Sequence, residues 1–307
     1  MTTAWLFNLD AERELAAYRT GAPPRGPGAP ARRRMQEAVE RLRRPVDEGG
    51  LLGPEDVVLG DDPGGRGGLP EGSRARAWCP TPQAREAFAG RGLELAGPPV
   101  EVLIAANARE TFARLDPLPG AMVASSLTEL REAVERPGLP RSGLGSSDRA
   151  AWVLRSSLCC AGGSRMIAEA WGGHVLRWGA AALLEGPVEI QPFVDVLDEY
   201  SLHGRIDEQG GVLCGAPLRW KSGSSGDGPG EVPALTEQGL GRLIECGAEV
   251  GSSLADLGYF GPFGVDAFRW SGPDGAQTLQ VATDINARLT LQFSRGAPGL
   301  LGGACSS

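Results

Sequence analysis

The segment that most constrains the fold lies near the end of the chain. Gly261-Pro262-Phe263-Gly264-Val265-Asp266-Ala267-Phe268-Arg269-Trp270 is followed by Ser271-Gly272-Pro273-Asp274-Gly275 and then by Leu279-Gln280-Val281-Ala282-Thr283-Asp284-Ile285-Asn286-Ala287-Arg288. Two apolar runs flanking a Gly/Pro/Asp turn predict an antiparallel hairpin. Side chains alternate across a strand, so Asp284 and Asn286 share one face, and pairing with the first strand brings Asp266 beside them. An Asp-x-Asn pair on its own is ordinary turn chemistry. With Asp266 added, two carboxylates and an amide oxygen converge, a donor set that suits Mg²⁺ and leaves positions for phosphates. Arg288, one step further along that face, can reach an anionic phosphate or intermediate.

Upstream, short apolar runs alternate with loops that Gly and Pro prevent from becoming helix or central strand. Thr3–Leu9 reads as a buried first strand, and residues 21–30 as a loop. Arg32–Arg44 reads as an amphipathic helix, with Met35, Val39 and Leu42 at helical spacing. Asp56–Leu59 and Arg74–Cys79 are further strand candidates, and Thr81-Pro82 is a helix start, with Thr capping and Pro in the first turn. This alternation predicts a small α/β subdomain over residues 1–100. It contains no GxGxxG, so dinucleotide binding has no support.

A second segment, 101–185, is expected to hold a helix at Asn107–Leu115, a strand at Ala121–Val123 and a helix at Ser126–Arg136. A strand at Ala151–Arg155 then runs into the small-residue hairpin Ser156–Arg165. The third segment, 186–307, opens on Val188-Glu189-Ile190-Gln191-Pro192-Phe193-Val194 and contains a low-complexity stretch at 221–230.

Composition removes several function classes. The 307 residues carry 30 basic and 38 acidic side chains, a net charge of −8, which disfavours a general binder of nucleic-acid backbone. No run approaches the roughly 18 apolar residues of a membrane span, and the start lacks a basic, then apolar, leader, so no membrane and a cytoplasmic location are expected. The six cysteines form no CxxC pair, and His174 and His203 are the only histidines, which excludes a histidine-rich metal site.

The hairpin resembles the end of the ATP-grasp fold, whose ligases carry an acidic residue on one strand and a Glu-x-Asn-x-Arg-like motif on the next. Three further stretches follow in that family's order. Trp152-Val153-Leu154-Arg155 with the glycine hairpin Gly162-Gly163-Ser164 resembles the strand bearing a phosphate-binding lysine and its phosphate-covering loop. Gln191, Phe193 and Val194 fall where adenine is held, largely by backbone groups, and Asp198 or Glu199 falls where ribose is met. The resemblance covers residues 101–296 in detail. It implies an α/β (α+β) ATP-grasp fold of three subdomains, 1–100, 101–185 and 186–307, with an ATP cleft between the last two.

By the same resemblance, Asp266, Asp284 and Asn286 hold Mg²⁺, Arg109 and Arg155 bind ATP, and Arg155 and Arg288 act in catalysis. The chain departs from the family pattern in two ways. Arg155 stands at the lysine position, with Arg109 as counterpart of the family's earlier lysine, and Lys221 is the sole lysine of the chain. Asp284 replaces a glutamate. Arginine keeps the charge and binds phosphate bidentately, although its planar fork is bulkier; a solvent-exposed pair between Arg155 and Glu169 is the plainer alternative. The expected function is ATP-dependent ligation of a carboxylate to an amine through an acylphosphate. A non-catalytic module binding nucleotide or a partner is the alternative, and a phosphotransferase is a third option. Partners are then small-molecule or peptide carboxylates and amines, with a homodimer left open.

Overall fold

The computed structural model describes residues 2–23, 28–48, 50–59, 69–136, 151–158, 165–220, 235–272 and 274–300. The N-terminal part contains β1 (Thr3–Leu6), α1 (Ala11–Thr20), α2 (Ala29–Leu42), β2 (Val57–Val58), β3 (Arg74–Ala77) and α3 (Pro82–Ala89). The strands form a parallel sheet in the order β2-β1-β3. Thr81 caps α3 as its sequence suggests, its hydroxyl accepting from the Ala84 amide at 3.3 Å.

Next come α4 (Val100–Asn107) and α5 (Arg109–Phe112). The helix expected at Asn107–Leu115 is therefore shorter and preceded by another. Val100-Glu101-Val102-Leu103-Ile104 is strand-like in composition, yet it is helical because Leu103 and Ala106 are buried in the main core. Ala108, in an extended conformation, breaks the two helices apart.

The central sheet is built from β4 (Met122–Ala124), β5 (Trp152–Arg155), β6 (Arg165–Ala168) and β7 (Val188–Pro192), all antiparallel in the order β4-β7-β5-β6. Helices α6 (Leu127–Glu135) and α7 (Gly173–Glu185) contribute Leu130, Val134, Val175 and Ala182 to this sheet's own core. Ser126 caps α6 by accepting from the Glu129 amide, and Glu129 accepts in turn from the Ser125 amide at 2.7 Å. Because β7 pairs with β4 and β5, this sheet runs past the boundary expected at residue 185.

The C-terminal sheet has the order β10-β8-β11-β12, from β8 (Asp195–Ile206), β10 (Leu218–Trp220), β11 (Gly261–Ser271) and β12 (Gln277–Asn286), with β9 (Val212–Cys214) also on β8. The expected hairpin is β11 and β12. Helix α8 (Glu237–Asp256) covers one face of this sheet, and the short α9 (Phe293–Gly296) packs on β8 near His203. A single core unites Leu15 of α1, Leu103 of α4, Leu243 and Val250 of α8, and Leu202, Phe263 and Val265 of the sheet. The N-terminal and C-terminal parts thus share buried surface, while the central sheet keeps a core of its own.

Candidate functional site

Antiparallel register sets Asp266 directly opposite Asp284, and Gly264 opposite Asn286. The three predicted residues therefore share one face. Asn286 donates from Nδ2 to Asp266 at 3.3 Å, while its Oδ1 accepts from Arg288 at 2.8 Å. Burial, reinforced by the Asp284 charge, pushes the Asp266 carboxyl up to about 7. Burial acts on Asp284 in the same sense, but Arg109 and Arg155 outweigh it and hold that carboxyl below the usual range.

Arg109 reaches Asp284 from the α4–α5 break with two parallel bonds, Nη1 to Oδ1 at 2.8 Å and Nη2 to Oδ2 at 3.0 Å. Its place is fixed by Asn107, whose side chain accepts from the Ala287 amide at 3.0 Å and donates to the Leu103 and Ala287 carbonyls. Arg155 comes from β5 of the central sheet and donates to the Thr283 carbonyl at 2.9 Å. Its ion pair is with Glu189 of β7, at 2.9 Å, rather than with Glu169. Arg109 lies 4.0 Å from the same Glu189 oxygen, so the two arginines bridge the central and C-terminal sheets. The space beside them, lined by Arg109, Phe112, Glu189 and Asp284, is only about 20 Å³.

Arg288 leaves the hairpin toward the N-terminal part. It forms an ion pair with Glu12 of α1, and its guanidinium carbon lies 5.3 Å from the Trp78 ring centre. Burial opposes the Arg288 charge, and Glu12 more than offsets that.

The other predicted residues divide. Gln191 lies on β7, donating to Glu189 at 2.7 Å, and the Phe193 amide donates to the Ala151 carbonyl at 2.8 Å; Val194 follows before β8 begins. Alternation along β8 places Glu199, exposed, on the Asp266 face and turns Asp198 to the other. There Asp198, 6% exposed, is held by ion pairs with Arg219 and Arg269. Of the two ribose candidates, Glu199 shares the site face. Gly162, Gly163 and Ser164 lie outside the described residues, as does the stretch at 221–230. Glu12 and Glu189 belong to the site but were not singled out by sequence reasoning; the signal for Glu189 was an acid inside an otherwise apolar strand.

Two facing carboxylates are a donor pair that a hard divalent ion shared with ligand phosphates can use, the Asp266 carboxyl raised by burial and then by the Asp284 charge. Among the described residues no group of three or more His, Cys, Asp or Glu side chains is placed to hold a metal; Asp266 and Asp284 stand as two facing acids, and Asn286 turns Nδ2 to Asp266 while Arg288 holds its Oδ1. Among those residues no helix is long and apolar enough to cross a membrane.

No protein-family model matches the chain, and no curated protein matches it by sequence. Solved structures do match. D-alanyl-alanine synthetase A from Vibrio cholerae is 12% identical with a TM-score of 0.50, over 93% of this chain and 88% of that one. N5-carboxyaminoimidazole ribonucleotide synthetase from Thermus thermophilus is 16% identical, TM-score 0.47, over 94% and 71%. D-Alanine-D-Alanine ligase from Helicobacter pylori is 13% identical, TM-score 0.43, and the match spans 73% of this chain and 66% of that one. With a parallel N-terminal sheet, an antiparallel central sheet and the paired acids of the β11–β12 hairpin, the chain has the ATP-grasp fold.

Proposed function

We propose that the protein is an ATP-dependent ligase that activates a carboxylate as an acylphosphate and joins it to an amine or similar nucleophile, releasing ADP and phosphate. One observation carries this reading: Asp266 and Asp284 face each other in register while Arg109 and Arg155 arrive from two different elements beside Asp284, with Arg288 bonded to the neighbouring Asn286. Such a cluster of anions and fixed cations is what phosphoryl transfer needs, because catalysis there is positioning and charge stabilisation. The likeness to D-alanyl-alanine synthetase A supports the kind of reaction and says nothing of the substrate.

Nucleotide would lie between the central and C-terminal sheets, its adenine toward the Gln191–Val194 segment and its ribose toward Glu199. Arg109 and Arg155 then exchange protein carboxylates for phosphate oxygens, which opens the seam they now bridge. Magnesium, when held by Asp266, Asp284 and Asn286, supplies charge that offsets the negative charge of the phosphoryl group in transfer. Arg288, anchored by Glu12 and by Asn286, faces the N-terminal side and orients the anionic end of the acid.

A second reading, a non-catalytic module that binds nucleotide or a partner, draws on one feature: both central arginines are already bonded to protein acids. Product analysis separates the two. Incubation with Mg-ATP and a library of amino acids and carboxylates should give ADP and a ligated product detectable by mass spectrometry. Asp266→Asn and Asp284→Asn should each lower ADP formation at least about a hundredfold with the fold intact, the scale of losing one transition-state charge contact. Thermal stabilisation by Mg-ATP with no ADP from any acid would instead establish the binding module.

A further inference from the structure

Strand β7 reads Val188-Glu189-Ile190-Gln191-Pro192, and its alternation sorts these side chains between two faces. Val188 and Ile190 enter the core of the central sheet. Glu189 and Gln191 are left on the opposite face, the one from which Arg155 reaches the C-terminal hairpin. Register puts Glu189 directly across from Arg155. Glu189 is only 7% exposed, and burying a carboxylate that deeply is costly without cations beside it. The cations are Arg155, at 2.9 Å, and Arg109, at 4.0 Å.

The contacts at this seam are unequal. Arg109 holds Asp284 through two directed hydrogen bonds. Glu189 meets Arg155 by charge alone: among the described residues its Oε2 accepts no hydrogen bond and the Arg155 Nε donates none, although both atoms are buried. Arg155 donates from Nη2 to the Thr283 carbonyl instead, and the other Glu189 oxygen accepts from Gln191 at 2.7 Å. A charge pair without directed bonds yields to an acceptor that matches the guanidinium fork, and phosphate is such an acceptor. The space beside Arg109, Glu189 and Asp284 is about 20 Å³, room for about one water molecule and not for a phosphate. Of the two acids, Asp284 belongs to the proposed metal set, whereas Glu189 has no part in the chemistry proposed above.

We infer that Glu189 is a built-in competitor for nucleotide phosphate: it pairs with Arg155 beside Arg109 across the closed seam, and a polyphosphate enters by displacing it. This rests on the reading that Arg109 and Arg155 bind nucleotide phosphates, which the ligase and the binding module share. Measured affinity is then the intrinsic affinity reduced by the fraction of molecules in which Glu189 has let go. The device keeps the seam between the central and C-terminal sheets shut until a ligand with enough phosphate charge arrives.

The test reads binding to the full chain by calorimetry in EDTA, so neither Mg²⁺ nor turnover enters it, with inorganic tripolyphosphate and adenosine as probes. Glu189→Gln keeps the size of the side chain and an oxygen for Gln191 but not the charge. It should bind tripolyphosphate about ten- to a hundredfold more tightly than wild type, the scale of one hydrogen bond to a charged group, with adenosine affinity unchanged. Glu189→Asp, which keeps the charge and withdraws it by one methylene, should fall between the two and leaves the seam its buried anion for folding. Glu110→Gln removes a nearby acid whose partners are Arg19 and Ser157, and should change tripolyphosphate affinity by less than about threefold, the scale of a screened charge. Equal tripolyphosphate affinity in wild type and both Glu189 variants, none included, overturns the proposal, as does an equal gain for adenosine or the same gain in Glu110→Gln. Tighter tripolyphosphate binding by Glu189→Gln in a protein that forms no ADP from any acid would sink the ligase reading and uphold Glu189 as the competitor.

Discussion

His203 shares its face of β8 with Ser201 and Glu199, and Ser201 is the residue opposite Asp266. Yet it belongs to packing rather than chemistry. It is 2% exposed, sits edge-on to Phe293 with ring centres 6.0 Å apart, and lies so close over Gly296 that a side chain there would meet its ring. Burial lowers its pKa from 6.5 to about 4. The unfolded chain then takes up the proton first as pH falls. This contribution to stability is whole above pH 6.5 and is lost progressively between 6.5 and about 4, amounting to about 3 kcal/mol. The melting temperature of the wild type should therefore drop across that window more steeply than that of His203→Gln. Parallel pH profiles for the two proteins would mean that His203 takes its proton without unfolding.

At the scale of elements, the sheet that carries the acids is held flat against α8 by two glycines one turn apart. A Cβ at Gly247 would run into the Leu202 side chain, and one at Gly251 into Val212. The helix approaches this closely because neither position has a side chain, and its far end is seated by Thr236, which caps it by accepting from Gly239 at 3.1 Å. Gly247→Val should cost about 1–3 kcal/mol through overpacking of a core that cannot give way. Urea unfolding measures this as a lower midpoint at unchanged slope. An unchanged midpoint would show that α8 can lift off β8 without penalty, which its buried Leu243, Val250 and Leu254 argue against.

Across the whole molecule, Arg109 is the joint. It binds the C-terminal hairpin through Asp284, approaches Glu189 of the central sheet, and its own amide donates to Ser157 beyond β5 at 3.2 Å. Beside it, Arg19, Glu110 and Ser157 form a second tie between α1, α5 and the same segment. Arg109→Ala removes the cation from a site with two facing acids. It should lower stability by about 1.5–3 kcal/mol, the range for hydrogen bonds to charged groups, with Asp284 still 29% exposed to solvent. In EDTA the variant should melt below the wild type. Mg²⁺ should then raise its melting temperature more than that of the wild type, because the ion replaces the missing charge. A Mg²⁺ response equal in both proteins would remove the metal from Asp266 and Asp284.

The hairpin at 261–271 and 277–286 and the convergence of Asp266, Asp284 and Asn286 were legible in the residues, because strand alternation and a short turn leave little freedom in which side chains meet. The cap at Thr81 was legible for the same local reason. Helices α7 and α8 were not assigned, and the helix at Val100–Asn107 ran against its composition, because burial against distant strands decided those segments. Partners were least legible. That Arg155 answers to Glu189, that Arg288 turns away to Glu12, and that Asp198 is sealed by Arg219 and Arg269 depend on contacts between residues far apart in the chain. A charged side chain is long and flexible enough to serve several partners, and only the packing of three sheets around it selects one. The sequence by itself determined which acids share a face; the tertiary structure decided which cations reach them.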